Sequence, residues 1–318
     1  MKINAKSIAG AVLWKIKQSL SLIRSAFLMA RHYPNFNSTY GEIKNKAKTS
    51  NSPSRRIICI ISTYNDADII AGIIEENIKQ GFQIYIIDNW SSDGTWEIIE
   101  DLNSSTDNII GIERFPAEGR SESYDWHAIL NRKSQIGAQF PGNWIFHQDS
   151  DEVTISLFND ISVIDFLDFV EEKNCNVVCL RMLDFRPTDH SFTTGNPVRH
   201  FTHYEFSKDP SYLVQEKIWL QYDSEAVDLA SSGGHRVTFP KKRIYSIKLP
   251  RLHYSIRSIS QLKGKILDRN TRGRKEREQR NWHTHIQGLE NVKFIHNKFE
   301  LVEFDQKNLR KIVKEFVI

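Results

Sequence analysis

Residues 55–66 read RRIICIISTYND: two basic residues, five continuous apolar ones, then a polar turn. Alternation between apolar and polar positions is missing, so the run predicts a strand covered on both faces. The chain repeats this design downstream. Strands are expected at 83–87 (QIYII), 108–115 (NIIGIERF), 143–147 (NWIFH) and 176–182 (NVVCLRM). Helical patterns fill 67–80, Ser91–Leu102, 121–138 and 160–173 between them. Strand and helix alternate as in βαβ units, which predicts an α/β fold: a doubly wound, mixed but mainly parallel sheet with helices on both faces. Beyond residue 185 the rhythm loosens, leaving helices expected around 257–280 and 305–317.

The chain has 318 residues, 40% hydrophobic and 26% charged, a balance that excludes a largely disordered chain. Its three cysteines form no CxxC, which removes zinc-ribbon and thioredoxin readings. Cys59 and Cys179 sit in apolar strand settings, and reduced thiols suit a cytoplasmic address. The net charge of +4 is unevenly placed. Residues 1–56 carry eleven Lys/Arg against Glu42 alone, and residues 241–280 carry fourteen against three acids. The remaining body is strongly acidic, so anionic partners are expected at two places.

Within residues 1–54, the stretch 7–31 spaces Val12, Ile16, Leu20, Ile23 and Phe27 at a helical period, with Lys15, Lys17 and Arg24 between them. Its apolar runs are too short to span a bilayer. It reads either as an amphipathic helix packed on the body or as one lying on an anionic membrane face, which would make the protein peripheral on the inner face of the membrane. Residues 34–54 read as a linker. Residues 55–185 are then expected to form one half of the main domain and 186–318 a second half completing the same sheet.

Ligands of an open α/β sheet bind beyond the carboxyl ends of its strands. There the chain places Ser62-Thr63-Tyr64-Asn65-Asp66, Asp88-Asn89-Trp90-Ser91-Ser92-Asp93 and Gln148-Asp149-Ser150-Asp151-Glu152. Asp149 and Asp151, at i and i+2 of an extended segment, are expected on one side, where their repulsion is relieved by a hard divalent cation shared with a diphosphate. Asp93 reads as a helix N-cap.

IISTYNDADII, IIDNWSSDGT and WIFHQDSDE, in this order, resemble the nucleotide-sugar-binding half of family-2 glycosyltransferases, which have the GT-A fold. Thr63 replaces the family's common proline, and Asn89-Trp90 replace its Asp-Gly. The resemblance implies that Thr63, Tyr64, Asn65, Asp88 and Asp149 bind the donor nucleotide. It implies that Asp149 and Asp151 hold Mn2+ or Mg2+, with His253 as a third ligand. SSGGH (231–235), LHYSIRS (252–258) and RNTRGRKEREQRNWHTH (269–285) are similar to a bacterial subset of the family with GGH, HYxIRS and WH motifs. Arg257, Lys263 and Arg269 are candidates to neutralise the departing diphosphate. An inverting transfer needs a general base. Among Glu216, Asp223, Glu225 and Asp228 the position before SSGGH favours Asp228, with Asp184 as second choice. Arg120, Trp126 and Asn131 depart from the family's small-residue donor helix.

The expected activity is metal-dependent transfer of a sugar from a nucleoside-diphosphate sugar to a hydroxyl of a glycan or lipid-linked acceptor. A nucleotidyltransferase would want a glycine-rich loop where STYND stands. A nucleic-acid-binding protein would use the basic 241–280 segment, but no recognition motif accompanies it. A non-catalytic carbohydrate-binding scaffold has no need of the intact Asp149/Asp151 pair.

Overall fold

The computed structural model describes residues 36–49, 55–207, 213–272 and 293–318. The stretch 7–31 and most of 269–285, with Trp282 and His283, lie outside the described residues. Ten strands form one mixed sheet: β1 Ile57–Thr63, β2 Gln83–Asp88, β3 Ile109–Arg114, β4 Asn143–Asp149, β5 Glu152–Thr154, β6 Val177–Phe185, β7 His203–Phe206, β8 Gln215–Gln221, β9 Ile244–His253 and β10 Val302–Glu303. The order is β10-β7-β6-β8-β4-β1-β2-β3, with β9 on β6 and β5 on β9. Strands β4, β1, β2 and β3 are parallel neighbours, as the βαβ rhythm predicts. From β8 outward the pairing turns antiparallel, apart from β6 with β9. The strands after residue 185 therefore extend the first sheet and build no second one.

Strand β1 shows why helices cover both faces. Ile57, Cys59 and Ile61 join one apolar core, and Ile58 and Ile60 join the other. The first core takes Ile70, Ile73 and Ile74 of α2 (Ile70–Lys79), Ile99 of α3 (Thr95–Ser105) and Phe166, Leu167 and Val170 of α5 (Val163–Glu172). The second takes Ile129, Leu130 and Ile136 of α4 (Trp126–Gly137). Successive strand side chains point to opposite faces, so a continuous apolar run is what two covered faces require. Helices α4, α5 and the short α6 (Pro197–His200) start where side chains cap them, Asp125 accepting from Ala128 N, Ser162 from Asp165 N and Asn196 from Val198 N.

Two expectations change. Residues 36–49, read as a linker, form a helix, α1 (Phe36–Thr49). Ile43 is fully buried in the first core, and Tyr40 packs on Phe158 in a tilted pair with ring centroids 5.2 Å apart. Lys44 pairs with Asp160 at 2.6 Å, Lys46 with Glu172 at 2.5 Å and Glu42 with Lys173 at 2.8 Å. Docking is thus carried by a narrow stripe in a polar, Lys-rich segment, with exposed ion pairs that contribute little. The C-terminal helix is instead a 3₁₀ run, Gln306–Phe316, broken at Ile312. No described helix is long and apolar enough to cross a membrane.

Deleting the buried part of Ile43 leaves a cavity, so Ile43→Ala should cost about 2–3 kcal/mol in chemical denaturation. A loss below about 0.5 kcal/mol, the value of a surface position, would return α1 to a linker.

Candidate active site

The sheet register brings the polar loops together. Thr63 lies opposite Asp88 and Ser62 opposite Asp149, while His253 lies opposite both Glu152 and Asp184. Five strand ends therefore deliver acids and a histidine to one edge.

The first two loops are laced by their own side chains. Asn65 takes a left-handed conformation, φ 55°, which a short polar residue tolerates. Its N–H donates to Ser91 Oγ at 2.9 Å, and its Oδ1 accepts from Ser92 N at 2.9 Å. Asp93, expected as the N-cap of α3, precedes the actual N-cap, Gly94; it accepts from Thr95 N and from Ala67 N, both at 3.1 Å, and so ties the two loops together. Thr63 Oγ1 donates to Asp66 Oδ2 at 3.1 Å.

Asp88 is fully buried. Its Oδ2 accepts from Ser91 N at 3.0 Å, and among the described residues its Oδ1 has no hydrogen-bond partner. Burial raises its carboxyl above the usual range. Arg114 Nε lies 3.6 Å away, with the guanidinium between the rings of Trp90 and Trp96 at 5.1 and 4.8 Å. A buried, half-used carboxylate is a costly feature that a hydrogen-bond donor would complete.

Asp149 and Asp151 part company. Residues 150–151 form a turn, so the alternation of an extended chain does not hold across them. Asp149, about a third exposed, faces Lys217 at 3.6 Å and Lys133 at 3.8 Å. Burial alone would raise its carboxyl; these two lysines overcome that and hold it well below the carboxylate range. Lys133 is fully buried, donates to Gln148 O at 2.6 Å, and is pushed down to about 8 by that burial. Beneath the turn, Arg251 donates to Glu152 at 2.7 Å and to His147 O at 3.1 Å, and Glu152 accepts from Asp149 N at 3.1 Å.

Asp151 meets a different set. Lys265 Nζ donates to its Oδ2 at 3.1 Å, and His253 Nε2 stands 3.7 Å from its Oδ1. The other ring nitrogen, Nδ1, is 2.6 Å from Asp184 Oδ1. Burial opposes charge on His253, but Asp151 and Asp184 outweigh it and raise its pKa. Asp184 thus orients a histidine, the arrangement that carboxylates make behind metal-bound or catalytic imidazoles. Among the described residues no group of three or more His, Cys, Asp or Glu side chains could hold a metal ion. Asp151 and His253 nonetheless face one another, and two protein ligands suit Mg2+ or Mn2+ when phosphate oxygens supply the rest.

Arg257 is fully buried, and its fork is engaged. It donates to both oxygens of Asp68 at 2.8 Å, to Asp66 at 2.9 Å and to Tyr254 O at 3.2 Å. Here it ties the loop after β1 to the segment after β9 instead of meeting a diphosphate. Lys263 is exposed on α7 (Ile259–Thr271), and the side chain of Arg269 lies outside the described residues. Asp228 is exposed, and its Oδ1 accepts from Ser231 N at 2.9 Å, capping a 3₁₀ turn, Ala230–Ser232. The GGH motif that follows is a packing device. Gly233 O accepts from Trp126 Nε1 at 3.1 Å, and a Cβ on Gly234 (φ +87°) would stand 2.8 Å from His147 Nε2. Sequence reasoning missed Lys133, Lys217, Arg251, Lys265 and Arg272. Lys217 and Arg251 had a weak signal, a charged residue next to an apolar stretch, which Glu216 and Lys248 share.

Removing one partner of a buried ion cluster leaves the others uncompensated. Arg257→Met should therefore lower stability by about 3 kcal/mol in chemical denaturation, whereas Lys263→Met should stay within about 0.5 kcal/mol. Equal small effects would show that Arg257 holds nothing together.

Residues 58–126, from β1 to the first residue of α4, match the family model "Glycosyl transferase family 2". No protein of curated function matches the sequence. Among solved structures, the mannosyltransferase PcManGT from Pyrobaculum calidifontis, in complex with GDP-Man and Mn2+, is 16% identical, with a TM-score of 0.29. That match covers 51% of this chain and 46% of the mannosyltransferase, so it spans under half of the latter's length. A UDP-glucose pyrophosphorylase complexed with UDP-glucose is 11% identical, with a TM-score of 0.30, over 62% of this chain and 92% of that one.

Proposed function

We propose that this chain is a glycosyltransferase that moves a sugar from a nucleoside-diphosphate sugar to a hydroxyl acceptor, with inversion. One observation carries the reading: Asp88, Asp149, Asp151 and His253 stand along one edge of the sheet, at the carboxyl ends of β2, β4 and β9 and in the turn after β4, and each of the three aspartates faces a lysine or arginine. The family match over residues 58–126 supports it independently, because it contains the two loops that flank Asp88.

In this reading Asp88 accepts a hydrogen bond from the nucleoside through the oxygen that lacks a partner. Tyr64 gives the base a ring to stack on, and Thr63 and Asn65 shape the loop around it. Asp149 is held ionised toward the ribose and sugar. Asp151 and His253 would hold Mg2+ or Mn2+, and Asp184 keeps the imidazole in place. When bound, the ion would neutralise negative charge on the diphosphate. Lys217 and Lys133 keep Asp149 charged and add positive potential where a dianionic leaving group develops. Asp228 is the exposed carboxylate proposed to take the acceptor proton. Acceptors are a glycan or a lipid-linked glycan. The basic stretch 7–31 would bring the enzyme to an anionic membrane surface on the cytoplasmic side.

A thermal-shift panel of UDP, GDP, dTDP and CMP, each with Mn2+ or with EDTA, tests the donor site. One nucleotide at a hundred times its dissociation constant should add about 2.7 kcal/mol in the presence of metal. Asp151→Asn should lose that gain. No stabilisation by any nucleotide, in folded protein, would contradict the proposal.

A further inference from the structure

Helix α7 begins at an N-cap, Ser258, whose Oγ accepts from Gln261 N at 3.1 Å. Leu262 and Ile266, four residues apart, bury against Ile256 and set the rotation of the helix. A second stripe follows from that rotation. Lys265, Asp268 and Arg272 stand at i, i+3 and i+7, and all three reach the loops of the donor site. Lys265 donates to Asp151 Oδ2 at 3.1 Å and to Ser255 O at 3.2 Å. Asp268 lies beside the side chain of Tyr64. Arg272 lies over the Tyr64 ring, 4.5 Å from its centroid. Its Nη2 donates to Asn89 Oδ1 at 3.2 Å and to Ser121 O at 3.4 Å.

Arg272 is only 8% exposed, yet among the described residues its Nε and Nη1 have no hydrogen-bond partner. A buried guanidinium with two idle donors is an expensive state, and such groups call for a partner. The same helix carries a second cation, Lys265, at the Asp151 end. Seven residues of helix rise about 10.5 Å. That is comparable to the reach of a nucleoside diphosphate from its base to its terminal phosphate. The two cations are thus spaced like the two ends of such a ligand, one beside the Tyr64 ring and one beside the Asp149–Asp151 turn.

Resting on the nucleotide-sugar reading above, we propose that α7 is a clamp for the donor's nucleoside diphosphate. Lys265 serves the diphosphate, and Arg272 serves the nucleoside at Tyr64. Lys265 exchanges part of its contact with Asp151 for phosphate oxygens. The Nε–H and Nη1–H of Arg272 donate to the nucleoside's oxygens or ring nitrogens. A planar fork that stacks on an aromatic ring suits the nucleoside end, and a compact ammonium suits phosphate.

Ligand truncation separates the two roles. Isothermal titration of the full chain would use UDP and GDP, and then the nucleoside, uridine or guanosine, of whichever diphosphate binds. Lys265→Met should weaken the diphosphate about tenfold, as for a lost charge-assisted contact, and change nucleoside binding by less than about twofold. Lys265→Arg should recover most of the loss. Arg272→Met should weaken diphosphate and nucleoside by the same factor, about tenfold or more. Arg272→Lys, which keeps the charge without the fork, should fall between, and serves if the methionine variant does not fold. Wild-type binding with unchanged or tighter affinity in the variants would overturn the clamp; tighter binding would make Arg272 a plug over Tyr64. Equal loss of nucleoside and diphosphate in Lys265→Met would reduce Lys265 to a structural contact. Failure of the wild type to bind any nucleotide would overturn the nucleotide-sugar reading itself, and the clamp with it.

Discussion

Arg257 is the side chain on which the candidate site depends. It is a charge removed from water, tolerated because Asp66 and Asp68 surround it at 2.8–2.9 Å. These partners lie about 190 residues away in the chain, in the loop after β1. Asp66 also accepts from Ser150, between Asp149 and Asp151. One guanidinium therefore registers three segments: the loop after β1, the acidic turn after β4 and the strand-to-helix segment that opens α7. Residues from both halves of the chain meet in that cluster, and the proposed donor site, assembled from both, would require their relative positions to be held. A buried ion cluster is a poor source of net stability, but it is a strong constraint on geometry, because any misplacement leaves a charge unpaired.

Positive charge is layered around the same edge. Arg251 and Lys217 lie under the acidic turn, Lys133 rises from α4, and Lys265 and Arg272 approach from α7. The two aspartates thus do not share one partner: Lys217 and Lys133 balance Asp149, and Lys265 and His253 balance Asp151. The protein's own cations hold both carboxylates ionised, so neither needs a divalent ion to stay charged. In the proposed function, an anionic donor entering such a site would exchange protein–protein ion pairs for protein–phosphate ones.

The parallel half of the sheet was legible because its strands are continuous apolar runs, and the acidic loops because they fall at the strand ends. Helix α1 was hidden: Tyr40 and Ile43 are the chief apolar anchors in a segment of Lys, Asn and Ser, too few to show a period. Helix α7 was visible, but its rotation was not. Two residues are 200° of helix, so choosing Lys263 over Lys265 turns the cation away from the cleft; only the burial of Leu262 and Ile266 decides between them. Arg257 was noticed for its charge, yet its partners are distant in sequence and no local pattern announces them. The glycines of GGH were also noticed without a reason. The reason is the close approach of that loop to His147, a tertiary fact.

The most direct test of the central claim is proton NMR of nucleotide sugars incubated with the protein, with water as the only acceptor. The account predicts slow turnover of one donor. It should release a nucleoside diphosphate and, at first appearance, free sugar of the anomeric configuration opposite to that of the donor. Retained configuration would contradict inversion, and the absence of turnover across UDP-, GDP-, dTDP- and CMP-linked sugars would contradict the assignment of this strand edge as a glycosyl-transfer site.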